Sequence, residues 1–216
     1  MDSKRVMDVA GWEAFVHGVF AIAVTLLVLD IHVPDAESID SGSALLSALT
    51  AEGPHYLAYV LGFLSIGTYW INTHRVLRML RGIDHWFVVI GLIFLMVISA
   101  VPFVTALLAE YIGAGNGQDQ VALVVFTSWQ LVLAILAHLT VRYVVRRRHS
   151  LVKPSVLEAS LRGWVRLTVL GPLIWIVALA TALLANGTIT LVLMSILYVI
   201  FLFEPPVGEE PLDPAS

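Results

Sequence analysis

The sequence predicts an all-α, polytopic membrane protein with six transmembrane helices, and three observations support this. Apolar residues make up 59% of the chain and charged residues 13%, against roughly 45–50% and about 25% in soluble globular domains, so the apolar side chains exceed what a core of this size buries. The apolar residues form six stretches near bilayer length. Finally, the basic residues fall only in the segments that a six-helix topology places on one side of the membrane.

The predicted helices follow one another with short connections. They span, to within a few residues, 14–33, 57–79, 87–109, 120–144, 163–185 and 188–203. Together they form one transmembrane domain over residues 1–216. The first is too long for a signal peptide and precedes an acidic, Ser-rich loop, which favours an uncleaved span. Pro102 and Pro172 predict kinks in the third and fifth helices, and Asn186-Gly187 predicts a tight turn that makes the last two helices an antiparallel hairpin.

The basic residues predict the orientation of the chain. All twelve lie at the N-terminus, between the second and third helices, or around the connection between the fourth and fifth. They are Lys4, Arg5, Arg75, Arg78, Arg81, Arg142, Arg146, Arg147, Arg148, Lys153, Arg162 and Arg166. A six-helix topology puts these places on one side, so the positive-inside rule predicts a multi-pass cell-membrane protein with both termini in the cytoplasm.

The opposite, outer side is acidic. Its loops and helix ends carry Asp30, Asp35, Glu37, Asp40, Glu52, Glu110 and Asp119. A field of one sign concentrates cations at an entrance, and Asp30, at the end of the first helix, is the predicted cation-attracting residue. The tendency of basic residues to stay on the cytoplasmic side during membrane insertion produces the same distribution of charge without any role in conduction, so that alternative stays open.

The first predicted helix is apolar all round yet carries an ordered stripe. Phe15, Gly18, Ile22, Thr25 and Leu29 recur at spacings of three and four, and therefore share one face. This pattern indicates a face turned toward partner helices or a pore. Simple packing is the alternative, because small and branched residues at this spacing commonly pack against other helices in membranes.

Motifs in the first three predicted helices carry a family resemblance. The first helix reads EAFVHGVFAIAVTLLVL over residues 13–29 and closes with DIHVP. The second contains YWINTHR at 69–75, with a Trp and a His one turn apart, and the third ends in PFVTALLAEY at 102–111. Together these motifs resemble the bacterial transmembrane protein 175 family of potassium-permeable channels. The resemblance covers the first three helices by motif and all six by helix count.

The resemblance implies a homotetrameric potassium channel assembled around the first helix. The positions that match the family's pore constriction are Ile22, Thr25 and Leu29. Rings of Ile22 and Leu29 would form an apolar neck that gates by dewetting, and Thr25 hydroxyls would replace part of a cation's hydration shell. The chain has no Thr-Val-Gly-Tyr-Gly filter, so potassium among the monovalent cations is implied by the family. Membrane lipids are the other expected partners.

The chain departs from the family's Arg-x-x-x-Phe-Ser-Asp signature. The matching positions hold Gly11, Phe15, Val16 and His17. The resemblance implies a polar network of the Arg and the Asp with a Trp and a His of the second helix, near the cytoplasmic ends. Of that network, Trp70 and His74 remain. Loss of the Arg together with the Asp leaves neither charge unpaired in a low-dielectric setting.

Polar residues inside the predicted spans are candidates for function because they are costly in hydrocarbon. His17 and His74 lie at similar depth, which predicts that their rings meet. The alternative is that each ring hydrogen-bonds a backbone carbonyl or interfacial water. Gln130 and His138 are predicted to form hydrogen bonds between helices.

Other function classes find little support in the sequence. The chain has no Cys, which excludes disulfides, thiolate metal sites and cysteine nucleophiles. It has none of the common catalytic or phosphate-binding motifs, so no enzyme activity, cofactor or metal site is predicted. A net charge of −4 gives no reason to expect nucleic acid. Two alternatives stay open: a secondary transporter, although interrupted helices in repeated halves are not evident, and a non-conducting structural or partner-binding membrane protein, which the altered signature favours.

Overall fold

A computed structural model describes residues 8–156, 158–184 and 187–203 of the chain. Within these ranges the backbone forms helices joined by short connections, without a β-strand, which confirms the all-α prediction. In chain order the helices are α1 (Val9–Leu26), α2 (Gly42–Ala51), α3 (Gly53–Met79), α4 (His85–Ser99), α5 (Val101–Tyr111), α6 (Gln118–Arg146), α7 (Arg148–Leu151), α8 (Glu158–Leu184) and α9 (Gly187–Phe203).

The six predicted segments correspond to α1, α3, α4 with α5, α6, α8 and α9. Among the described residues, three stretches are long and apolar enough to cross a membrane: Val9–Asp30, His85–Tyr111 and Gln118–Arg146. The first includes a 3-10 turn, Leu27–Asp30, that prolongs α1. The predicted hairpin turn involves Asn186, which lies outside the described residues.

The third predicted segment is divided into two helices. Ala100 ends α4 and begins α5, with φ −96° and ψ 1°. Pro102 lies in the first turn of α5, where its missing N–H removes no helical hydrogen bond. In place of the predicted kink at Pro102, the structure therefore has a break between α4 and α5 at Ala100, two residues earlier. By contrast, α8 continues through Pro172.

Two short helices, α2 and α7, were not predicted. The segment between the first two spans was interpreted as an acidic, Ser-rich loop, but it contains the ten-residue helix α2. Ser41 caps it, since its Oγ accepts a hydrogen bond from the Ala44 N–H at 3.2 Å. The helix buries none of its residues in this chain, so no apolar periodicity toward a core marked it in the sequence.

One face of α1 is packed into the core. Trp12, Val16, Phe20, Ala23 and Leu27 are at most 3% exposed and recur at the three-four spacing of a single helix face. They pack against α3, α4 and α5. This packing fixes the rotation of α1 and decides which residues point away from the bundle.

Polar side chains join α6 to α3 and to α8. Gln130 on α6 is fully buried, and its Oε1 accepts a hydrogen bond from Ser65 on α3 at 2.9 Å. His138 Nδ1 lies 3.0 Å from the Thr168 hydroxyl on α8. Both confirm the predicted interhelical bonds.

The two ends of the helix bundle differ in charge. At one end the connection after α3 meets the one after α6: the Arg81 N–H donates to the Leu151 carbonyl at 2.8 Å, and Lys153 Nζ donates to the Arg78 carbonyl at 2.8 Å. The sequence-separated basic groups thus share one end of the bundle. At the opposite end of α1, Glu52 and Glu110 both lie near His55, close to Asp30.

Candidate functional site

The face of α1 opposite the core is exposed in the single subunit. We call Phe15, Gly18, Ile22, Thr25 and Leu29 the α1 stripe; all five are exposed. Ile22 is 63% and Leu29 71% exposed, although both are large apolar residues of a membrane-length helix. In a membrane such a face lies against lipid or against another protein chain.

Thr25 gives the α1 stripe a polar group with a defined orientation. Its hydroxyl lies 3.0 Å from the Ala21 carbonyl and 2.9 Å from the Ile22 carbonyl. A hydroxyl has one donor hydrogen and two acceptor lone pairs. Because the hydrogen is committed to the backbone, the oxygen is left as an acceptor on an exposed face. Such an oxygen suits a cation better than an anion.

The altered signature positions have different environments. Val16 is 2% exposed and packs in the core, which suits an apolar side chain in place of the family's Ser. Phe15 is 49% exposed and belongs to the α1 stripe. Gly11 is exposed in the first turn of α1, where its N–H donates to the carboxylate of Asp8. His17 is half-buried and faces α3.

The structure brings His17 and His74 together and adds a third group. Their ring centroids are 5.6 Å apart, and Trp70 stacks on His74 at 5.7 Å with an interplanar angle of 14°. Glu13 Oε1 lies 3.4 Å from His74 Nδ1 and 3.9 Å from His17 Nε2. We call Glu13, His17 and His74 the inner cluster.

Glu13 was not predicted as a site residue from the sequence. The signal was present, since Glu13 and His17 are four residues apart and so lie one above the other on a helix. Its contact with His74, however, depends on how α1 and α3 pack.

Asp30 belongs to a second group of titratable side chains at the other end of α1. It interacts electrostatically with His32 and His55, whose ring centroids are 5.5 Å apart. His55 Nδ1 lies 3.2 Å from Glu52 Oε2, and His55 Nε2 lies 3.9 Å from Glu110 Oε2. We call this group the outer cluster. Asp30, the predicted cation-attracting residue, is thus half-buried beside histidines.

Comparisons with known proteins point to one family. The sequence model of the family described as "Endosomal/lysosomal potassium channel TMEM175" matches residues 12–102. The crystal structure of a lysosomal potassium-selective channel TMEM175 homolog from Chamaesiphon minutus superposes with a TM-score of 0.78 at 32% sequence identity, over 90% of this chain and 96% of that chain. The chain belongs to the TMEM175 family.

Curated TMEM175 relatives align over part of their length. A potassium channel of Streptomyces collinus is 44% identical over 125 residues, which are 58% of this chain and 57% of that protein. The human endosomal/lysosomal proton channel TMEM175 is 44% identical over 75 residues, which are 32% of this chain and 15% of that protein. The chain therefore spans a little over half of the curated bacterial relative.

The matched region contains the candidate site. Residues 12–102 include almost all of α1, all of α3 and all of α4, and so both the α1 stripe and the inner cluster. The TMEM175 family is described as a channel family and not as an enzyme family. At this coarse level the comparison agrees with the prediction that the chain is not an enzyme.

Proposed function

We propose that this chain is one subunit of a homotetrameric cation channel that conducts potassium along a pore lined by the α1 stripe. The observation that carries the proposal is the division of α1 into a face buried in its own subunit and an uncovered face that presents Ile22, Thr25 and Leu29. The names of the bacterial relatives support potassium as the ion.

The order of residues on the α1 stripe gives the pore its mechanism. Four copies of Ile22 form one apolar ring, and four copies of Leu29 form another. Each ring excludes water when it is narrow, so ions pass only when the neck widens or becomes wet. Thr25 lies about 4.5 Å along the helix axis from Ile22. Its four hydroxyl oxygens replace part of the hydration shell that the ion loses in the neck.

The charge difference between the bundle ends supports an orientation. We place the basic end, with both termini, in the cytoplasm of a bacterial-type cell membrane, and the acidic end with Asp30 outside. The outer carboxylates then raise the local concentration of cations. At the basic end, Arg146, Arg147 and Arg148 lie where anionic lipid headgroups are found.

Proton conduction is the second candidate. The vertebrate relatives are named proton channels, and this chain places histidines with carboxylates at both ends of α1. Histidine exchanges protons near neutral pH.

The transporter and non-conducting alternatives make a different prediction, because neither gives passive flux that rises when the α1 stripe is made polar.

The test is ion flux in proteoliposomes loaded with potassium, with a pH-sensitive dye to follow protons in parallel. Ile22→Asn and Leu29→Asn make the rings hydrophilic and should raise passive cation flux, because the dewetting barrier depends on an apolar lining. Ile176→Asn is the matched control, since Ile176 is 51% exposed on α8. Unchanged flux in both ring variants, with the oligomer intact, would rule out this pore assignment.

A further inference from the structure

We propose that the inner cluster, Glu13, His17 and His74, binds a divalent transition-metal ion such as zinc and that the ion bridges α1 to α3. The three side chains each offer one ligand atom, and these atoms all lie within 4.8 Å of one another. The site goes beyond the proposed conduction pathway, and metal binding can be measured whether or not the channel conducts.

The ligand set suits zinc. Two imidazole nitrogens and one carboxylate oxygen form the donor set of open zinc sites, which hold water in the fourth position. Ligand atoms around tetrahedral zinc are about 3.3 Å apart, given bonds of roughly 2.0–2.1 Å. The His74 Nδ1 to Glu13 Oε1 distance is 3.4 Å, and the His17 Nε2 to Glu13 Oε1 distance is 3.9 Å. The two nitrogens lie within 4.8 Å of each other, so closing the site requires the His17 and His74 rings to approach.

A second observation concerns the two histidine nitrogens themselves. His17 Nε2 and His74 Nδ1 are both shielded from solvent, and neither makes a hydrogen bond, since Glu13 Oε1 is only in ion-pair contact with them. Buried polar atoms in proteins normally have a partner. These are the same two nitrogens that face Glu13, so a single ion between the three side chains satisfies both of them.

The surroundings of the inner cluster hold the ligands in place. Glu13 and His17 lie one turn apart on α1, which fixes their spacing. Trp70 stacks on the His74 ring and limits its rotation. Trp70 also lies 6.1 Å from His17 between ring centroids, so one indole borders both histidines. Such support from neighbouring groups strengthens metal sites.

The outer cluster is the competing site. His32, Glu52 and His55 also bring ligand atoms within 4.8 Å. However, His32 is exposed, and the two nitrogens of His55 face two different carboxylates, those of Glu52 and Glu110, instead of converging on one oxygen. Among the described residues, the shielded atoms of the outer cluster that make no hydrogen bond are carboxylate oxygens, of Asp30 and Glu52, and not histidine nitrogens. The inner cluster is therefore the stronger candidate, and the outer cluster serves as its internal comparison.

The experiment measures metal binding to the full chain, purified in detergent and stripped with a chelator. Zinc titration by calorimetry should show one ion per subunit, and zinc should raise the melting temperature. Cobalt, used as a spectroscopic probe, should give the visible absorption bands of a low-coordinate nitrogen and oxygen site. His17→Asn, His74→Asn and Glu13→Gln each remove a proposed ligand and should weaken zinc binding by more than about tenfold, the loss that removal of an outer-shell partner already causes.

Two variants serve as controls. His149→Asn removes an exposed histidine and should leave zinc binding unchanged, and His55→Asn should do the same because it disrupts only the outer cluster. Three results would overturn the proposal: no zinc binding and no cobalt bands in the wild-type chain, binding that survives in both His17→Asn and His74→Asn, or binding lost in His55→Asn instead. If a histidine variant fails to assemble, Glu13→Gln and the wild-type cobalt spectrum still decide the question.

Discussion

Replacing Thr25 by Val tests the polar ring of the proposed pore with little change of shape. Valine has nearly the volume of threonine but no hydroxyl. The hydroxyl hydrogen already bonds to the Ala21 and Ile22 carbonyls, so the oxygen is the part available to an ion. Removing it from four subunits deletes the ring of acceptors while keeping the apolar neck.

The expected loss follows from the strength of such contacts. A hydrogen-bond-type interaction with a charged group contributes about 1.5–3 kcal/mol, and each 1.36 kcal/mol added to a barrier slows a rate by about tenfold. If a permeating potassium ion loses a single oxygen contact at the ring, flux through Thr25→Val should fall by at least about tenfold. Thr25→Ser keeps the hydroxyl and should retain flux.

The assay is potassium flux in proteoliposomes at matched protein density, with oligomer size checked by chromatography. Thr140→Val is the control, because Thr140 on α6 makes a similar bond to the Leu136 carbonyl at 2.9 Å but lies off the α1 stripe. Wild-type flux in Thr25→Val would refute the role of the ring. An equal loss in Thr140→Val would trace the effect to helix stability instead.

The remaining predictions concern packing and orientation. Gly91→Ala would place a Cβ 2.4 Å from Trp12 Cζ2; because that ring is buried, overpacking should cost roughly 1–3 kcal/mol and lower the melting temperature. Gly53→Ala is the control and should leave the melting temperature unchanged, because a Cβ there meets nothing within 4 Å. Equal melting temperatures for the two variants would contradict the packing of α1. For orientation, a cysteine at Ser43 should react with a membrane-impermeant reagent from outside and one at Ser150 should not; the opposite labelling pattern would reverse the topology.

The positions and apolar character of the long helices were predictable because composition and hydropathy act locally along the chain. The division at Ala100 was only partly predictable: Pro102 signals a disturbance, but a proline disrupts the turn before it, so the break lies nearer the start of the segment. The helix α2 was missed because it buries nothing in this chain, and short helices without a buried face lack the periodic signal on which such predictions depend.

The two parts of the candidate site differ in how far the sequence determines them. The α1 stripe was readable because three-four spacing places residues on one face regardless of neighbours. The inner cluster was not, since Glu13 meets His74 only through the packing of α1 on α3. The packing of α1 on α4 is equally non-local: Trp12 lies against Gly91, and no local pattern predicts a contact between residues so far apart in the sequence.

The most direct test of the central claim, that the α1 stripe lines the ion pathway, is block of potassium flux by a thiol reagent in a single-cysteine variant. The chain has no native Cys, so Leu29→Cys introduces the sole reactive thiol, and Ile176→Cys on α8 provides the control. A positively charged methanethiosulfonate reagent should reduce flux through Leu29→Cys to background and leave Ile176→Cys conducting. Complete labelling of Leu29→Cys by mass spectrometry, with flux unchanged, would contradict the account.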